Sequence, residues 1–259
     1  MRDPDKASKI KGLAWVLAGV FVACAFGFGL SPFVRLIPWS WEKKISHLGG
    51  FNASGAEVCD GSLKNQALLK KLVTRLYPLD REDDRFSVEV QIVKDPSVNA
   101  FAQLGGKISV NSALLEKAES AEEIAGVLAH EIQHVSRRHI LEGFIVHLMT
   151  VEGIKAVFSS GGSMANSRWA DYFLHMGFSR SQETEADHGG LLRLQKAHID
   201  NQGFKKFFER MKESSVVPAL LSDHPADQNR SQMAEEFKNE NTTAVMTAEE
   251  WKSFQAYCR

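Results

Sequence analysis

The sequence predicts an α+β fold, mainly helical, with a small β-sheet and one transmembrane helix ahead of the folded domain. Three observations carry that expectation. Residues 12–34 hold no charged side chain, apolar and polar residues alternate from Phe86 to Val93, and from Ser120 onward apolar residues recur at helical spacing behind capping signals.

The first element is the apolar run. Leu13 to Leu30 is almost wholly apolar, and about 20 such residues cross a bilayer. Arg2, Lys6, Lys9 and Lys11 precede it, against Arg35, Lys43 and Lys44 after it. That bias puts the N-terminus in the cytoplasm and the rest outside, with Trp39 and Trp41 suited to the aromatic belt of the outer interface. A cleaved leader and lipidation at Cys24 compete with an uncleaved anchor. No small-x-small cleavage site follows, however, and Phe21 stands where a lipoprotein box carries Leu. The chain then divides into a cytoplasmic segment (1–11), an anchor (12–34), a juxtamembrane linker (35–61), one globular domain (62–240) and a C-terminal helix packing back on it (241–259).

In the globular domain, Leu68, Leu69, Leu72, Val73 and Leu76 make one face of a helix over 63–76, which Tyr77-Pro78 ends. The alternation over 86–93 reads as a half-buried strand, and Lys107 to Val110 as a second strand introduced by Gly105-Gly106. Ser120 with Glu123 forms a capping box that opens a helix running to about Arg138. Further helices are expected over 141–158, 165–176, 181–197, 201–214, 227–238 and 247–257. The apolar stretch from Leu141 carries Glu142, Glu152 and Lys155, so it reads as a partly buried helix and not a second span. Gly161-Gly162 among Ser159, Ser160 and Ser163 reads as a flexible cover.

Charge excludes one class of partner. The 31 basic and 32 acidic residues balance, so no field gathers nucleic acid, and function must come from local constellations. On the helix after Ser120, His130 and His134 lie four apart and can offer two imidazole nitrogens to one metal ion. Glu131 beside them can act as general base on a metal-bound water. A catalytic zinc takes three protein ligands, and the run Ser179 to Asp187 supplies the third: Glu183 can reach the metal while Asp187, four residues on, bonds the far nitrogen of a ligating histidine. Glu185 is the alternative ligand, although it points to another side of the helix. Of the cysteines, only Cys59 and Cys258 lie outside the apolar run. They are either a staple across the domain, in an oxidising compartment, or two unrelated thiols.

His130-Glu131-x-x-His134 followed by Ser179-Arg180-x-x-Glu183-x-x-Ala186-Asp187 resembles the zinc peptidase family of HtpX and the CAAX prenyl endopeptidase. Asn99-Ala100-Phe101, Gly105-Gly106-Lys107-Ile108 and His224-Pro225 with Arg230 extend the resemblance over Leu68 to Arg230. It implies a zincin-like (gluzincin) metallopeptidase domain whose edge strand faces the active-site cleft, and a smaller bacterial member with one anchor. It further implies one Zn2+ per chain on His130, His134 and Glu183, with Glu131 as base, Asp187 orienting a ligand, and His224 stabilising the oxyanion. Asn99, Ala100, Gly106 and Arg230 would bind substrate, and Cys59 would pair with Cys258. The expected activity is hydrolysis of peptide bonds in extended, misfolded or membrane-associated polypeptides, from a single-pass position in a bacterial inner membrane with the domain facing the periplasm. The other class kept open is a catalytically silent zinc-binding chaperone or adaptor for unfolded chains. Residues alone would not choose His224 over His139, His147, His175, His188 or His198. Oligomeric state is not legible.

Overall fold

The computed structural model describes residues 31–48, 56–78, 86–149, 177–213, 219–224, 230–237 and 241–259. Contacts divide the chain into two units, 1–38 and 39–259. Of the first, only 31–38 is described, with a helical turn at Ser31–Val34. The expected anchor therefore lies outside the described residues except for its last four. Among the described residues no helix is long and apolar enough to cross a membrane.

The second unit begins with helix α1, Trp39–Leu48, inside the stretch expected as linker. Helix α2, Leu63–Leu76, has the predicted bounds: the Ser62 hydroxyl accepts the Asn65 N–H at its start, and Leu68, Leu69, Leu72 and Leu76 are buried. Strand β1 covers Glu89–Val93, three residues fewer than the alternation predicts. The first of the missing residues is engaged elsewhere. Phe86 stacks on Tyr77 at 5.0 Å and its carbonyl accepts the Tyr77 hydroxyl.

Strands β2 (Ala100–Ala102) and β3 (Lys107–Asn111) complete a mixed sheet of order β1-β3-β2. β1 runs parallel to β3, with Glu89 opposite Lys107, and β2 runs antiparallel, with Ala102 opposite Ile108. The turn between β2 and β3 holds Gly105 and Gly106 at φ 80° and 84°. A Cβ on Gly106 would lie 1.9 Å from the Ser87 carbonyl oxygen, so no other residue fits there.

Helix α3 is Ser112–Lys117 and helix α4 is Ala121–Arg137, capped by Ser120 as predicted. Every residue of α4 from Glu123 to Val135 is buried, because β2, α2 and the following helices wrap it. Arg138 takes a left-handed conformation (φ 61°) and divides α4 from α5, His139–Leu148. The remainder of the helix expected over 141–158, the helix over 165–176 and the Gly161-Gly162 loop lie outside the described residues.

Helix α6 is Arg180–Lys196 and α7 is Gln202–Lys212; both pack on α4. Short helices α8 (Ala219–Asp223) and α9 (Arg230–Glu236) follow, and α10 (Ala248–Gln255) closes the chain. Cys59 and Cys258 form a disulfide with Cα atoms 5.1 Å apart, across 199 residues of sequence. The result is a mainly helical α+β domain with a three-stranded mixed sheet, and the buried helix α4 is its axis.

One contact of α1 reaches that axis. The Glu42 carboxylate, almost fully buried, accepts the Gly105 N–H at 3.1 Å and the Arg138 Nε–H at 3.0 Å, and pairs with the charge of the same guanidinium, whose terminal nitrogen lies 2.9 Å away. Trp39 lies under the same guanidinium, 5.7 Å from its ring centroid. Burial pushes the Glu42 carboxyl above its ordinary value of 4.5, while the Gly105 N–H and Arg138 pull against that rise.

Candidate metal centre

Helix geometry sets the site's frame. The rings of His130 and His134 rise from one face of α4, with Nε2 atoms 3.0 Å apart. α6 crosses close beside them, because Gly189 and Gly190 put no side chain in the way. A Cβ on Gly190 would stand 3.1 Å from the His130 backbone nitrogen. That approach carries Glu183 to within 3.6 Å of His130 Nε2 and 3.5 Å of His134 Nε2. Asp187, one turn further on, accepts from His130 Nδ1 at 2.9 Å.

His224, at the end of α8, joins the same cluster. Its Nδ1 lies 3.2 Å from His130 Nε2 and 3.0 Å from Glu183 Oε1. One donor atom from each of His130, His134, Glu183 and His224 falls within 4.8 Å of every other, and all four residues are buried. Donors about 2.0–2.1 Å from a tetrahedral zinc stand about 3.4 Å apart, which is the spacing of this set. Nitrogen and carboxylate donors also suit that ion. The residues present therefore fit zinc.

Glu131 points at the same space without entering the donor set. Its Oε2 accepts the Ala102 N–H of β2 at 2.9 Å. Its Oε1 is buried, makes no hydrogen bond among the described residues, and faces His224 Nε2 at 3.5 Å. Burial pushes the Glu131 carboxyl upward, with His224 and His130 opposing.

Strand β2 supplies the other wall. Asn99 and Gln103 bond β3 through their main chains, so Ala100 and Ala102 turn theirs to the other edge, where Glu131 takes the Ala102 N–H. The Asn99 side-chain oxygen occupies the Ala100 N–H at 2.9 Å. Gly106 sits in the β2–β3 turn, outside the donor cluster, and Arg230 opens α9. Pro225 lies outside the described residues.

Four participants were not chosen from sequence. His139 Nδ1 lies 3.0 Å from His134 Nδ1, and its Nε2 lies 3.2 Å from Glu185 Oε2. Burial pushes the His139 imidazole below its ordinary value, against the pull of Glu185. Glu185, the alternative ligand, thus faces away from the donor set. The Phe178 ring lies 3.9 Å from that of His134 and 5.3 Å from that of His224, covering both. Ala102 acts through its main chain, which leaves no mark in the sequence.

The profile described as Peptidase family M48 matches residues 63–238. Mitochondrial metalloendopeptidase OMA1 of Saccharomyces cerevisiae is 33% identical over 184 residues, covering 65% of this chain and 53% of that protein. OMA1 of Arabidopsis thaliana is 33% identical over 149 residues, covering 57% of this chain and 31% of its own length. The beta-barrel assembly-enhancing protease of Escherichia coli is 26% identical over 181 residues, covering 61% of this chain and 36% of its own length. The chain thus spans about half or less of these relatives.

Proposed function

The chain belongs to Peptidase family M48, and from that membership we propose that it is a zinc-dependent endopeptidase acting on extended, misfolded or membrane-associated polypeptides. The observation that carries the proposal is the convergence of His130, His134, Glu183 and His224 beside the free oxygen of Glu131. His130, His134 and Glu183 would hold the ion. Zinc there would supply a Lewis acid that polarises a carbonyl and acidifies water.

The chain's own groups supply the rest. Ala102 N–H fixes one oxygen of Glu131, leaving the other to take a proton from the attacking water and return it to the leaving amine. With His130, His134 and Glu183 as the three protein ligands a catalytic zinc takes, His224 beside them would be left to act on the substrate. Its role there would be to stabilise the developing oxyanion. Asn99 and Ala100 would receive the substrate on the free edge of β2. Edge pairing reads main chain more than side chain, which suits unfolded polypeptide. Gly106 would contribute by holding the β2–β3 turn, and Arg230 would meet the substrate from α9.

For location we propose a bacterial inner membrane, with the anchor over 12–34 and the domain on the periplasmic side. The Cys59–Cys258 disulfide supports an oxidising compartment. A second reading, the silent zinc-binding chaperone, is favoured by the four-donor set, since structural zinc sites are closed. Casein cleavage by the purified full chain separates the two. Turnover that a chelator stops and zinc restores supports the peptidase; binding of unfolded casein without cleavage supports the chaperone.

A further inference from the structure

We infer that His139 and Glu185 are positioning residues that orient His134 from behind, as Asp187 does for His130. The inference rests on the reading of His134 as a zinc ligand. On an unbroken helix a residue five positions on points about 140° away, and His139 could not meet His134. The left-handed Arg138 breaks the helix between them and folds His139 back, so that the two Nδ1 atoms stand 3.0 Å apart.

The proton arrangement follows from the geometry. His134 turns Nε2 to the donor cluster, so its Nδ1 carries hydrogen and donates. His139 Nδ1 accepts, which leaves the His139 hydrogen on Nε2, 3.2 Å from Glu185 Oε2. One neutral tautomer of His139 therefore satisfies both contacts. Glu185 is fixed in turn, because Arg137 Nε donates to its other oxygen at 3.0 Å. The chain Arg137–Glu185–His139–His134 runs from a half-exposed ion pair to the buried centre. An imidazole present only to fill space would need neither that tautomer nor that partner.

The test uses the full chain and reads zinc affinity by competition with a chromogenic chelator, plus the cobalt(II) spectrum as a report on ligand geometry. His139→Leu should weaken zinc binding about 10- to 100-fold and shift the cobalt bands, as loss of such outer partners does. Glu185→Ala, at the surface, should act in the same direction by less. The double variant should be no weaker than His139→Leu. His139→Gln, whose amide can accept from His134 and donate to Glu185, should recover most of the loss. Wild-type affinity and an unchanged cobalt spectrum in both His139→Leu and Glu185→Ala overturn the inference. If His139→Leu fails to fold, Glu185→Ala and His139→Gln still decide it. A wild-type chain that retains no zinc, or a His134→Ala variant that binds it as tightly, sinks the site assignment itself and so is a separate failure.

Discussion

Glu131 has two oxygens in different circumstances, one held by Ala102 N–H and one without a hydrogen bond among the described residues. Glu131→Gln keeps the size and the Ala102 contact but cannot accept a proton. It should lower casein turnover by about 10²–10⁴-fold with zinc content unchanged in metal analysis; undiminished turnover would remove Glu131 from the mechanism. Asp187→Ala deprives the His130 ring of its outer partner and should weaken zinc binding about 10- to 100-fold in the same chelator competition. Asp187 was legible because spacing by four on a helix is a rule of geometry, and Glu131 because it stands next to the first histidine of the pair. His139 and Glu185 were not, because their meeting depends on a helix break at Arg138, a residue type that does not announce a left-handed turn. His224 came from the family resemblance alone.

The crossing of α4 and α6 brings Glu183 to the histidines, and Gly190 sets how close it comes. Gly190→Leu should force the helices apart, lowering zinc stoichiometry and the melting temperature together; a variant with wild-type zinc content would show that the crossing tolerates bulk. α1 went unread because Pro38 before it and Gly49-Gly50 after it made the stretch look like linker, and its clamp on Arg138 is tertiary. Glu42→Ala removes the acceptor of the Arg138 Nε–H and of the Gly105 N–H, a loss of about 3–5 kcal/mol measurable by denaturant unfolding. The pH dependence has a definite sign. The folded-state pKa of Glu42 is raised above 4.5, so its contribution is full below that value and fades as pH climbs through the raised one. The gap in melting temperature between wild type and Glu42→Ala should be widest at acid pH and narrow toward neutrality; the reverse trend would contradict the raised value.

Across the whole molecule, the fold class and most helix positions followed from periodicity and caps, since local patterns fix local elements. The mixed sheet order did not, because β1 pairs with β3 past β2. The disulfide closes a 199-residue separation, and the chain-entropy treatment gives such a bridge roughly 5 kcal/mol. Reduction, or Cys59→Ser, should accordingly lower the thermal midpoint, and an unchanged midpoint would mean that packing alone fixes the C-terminus. The clamp of α1 bears on how the protein can be cut down. A recombinant fragment starting at residue 62, where the sequence places the domain's edge, would lack Trp39, Glu42 and Cys59 at once. It would remove the carboxylate and the indole that hold the Arg138 side chain at the turn that sets His139 behind His134. A fragment meant to keep the metal centre intact should therefore begin no later than Trp39, because what reads as linker in the sequence braces the turn behind the histidines.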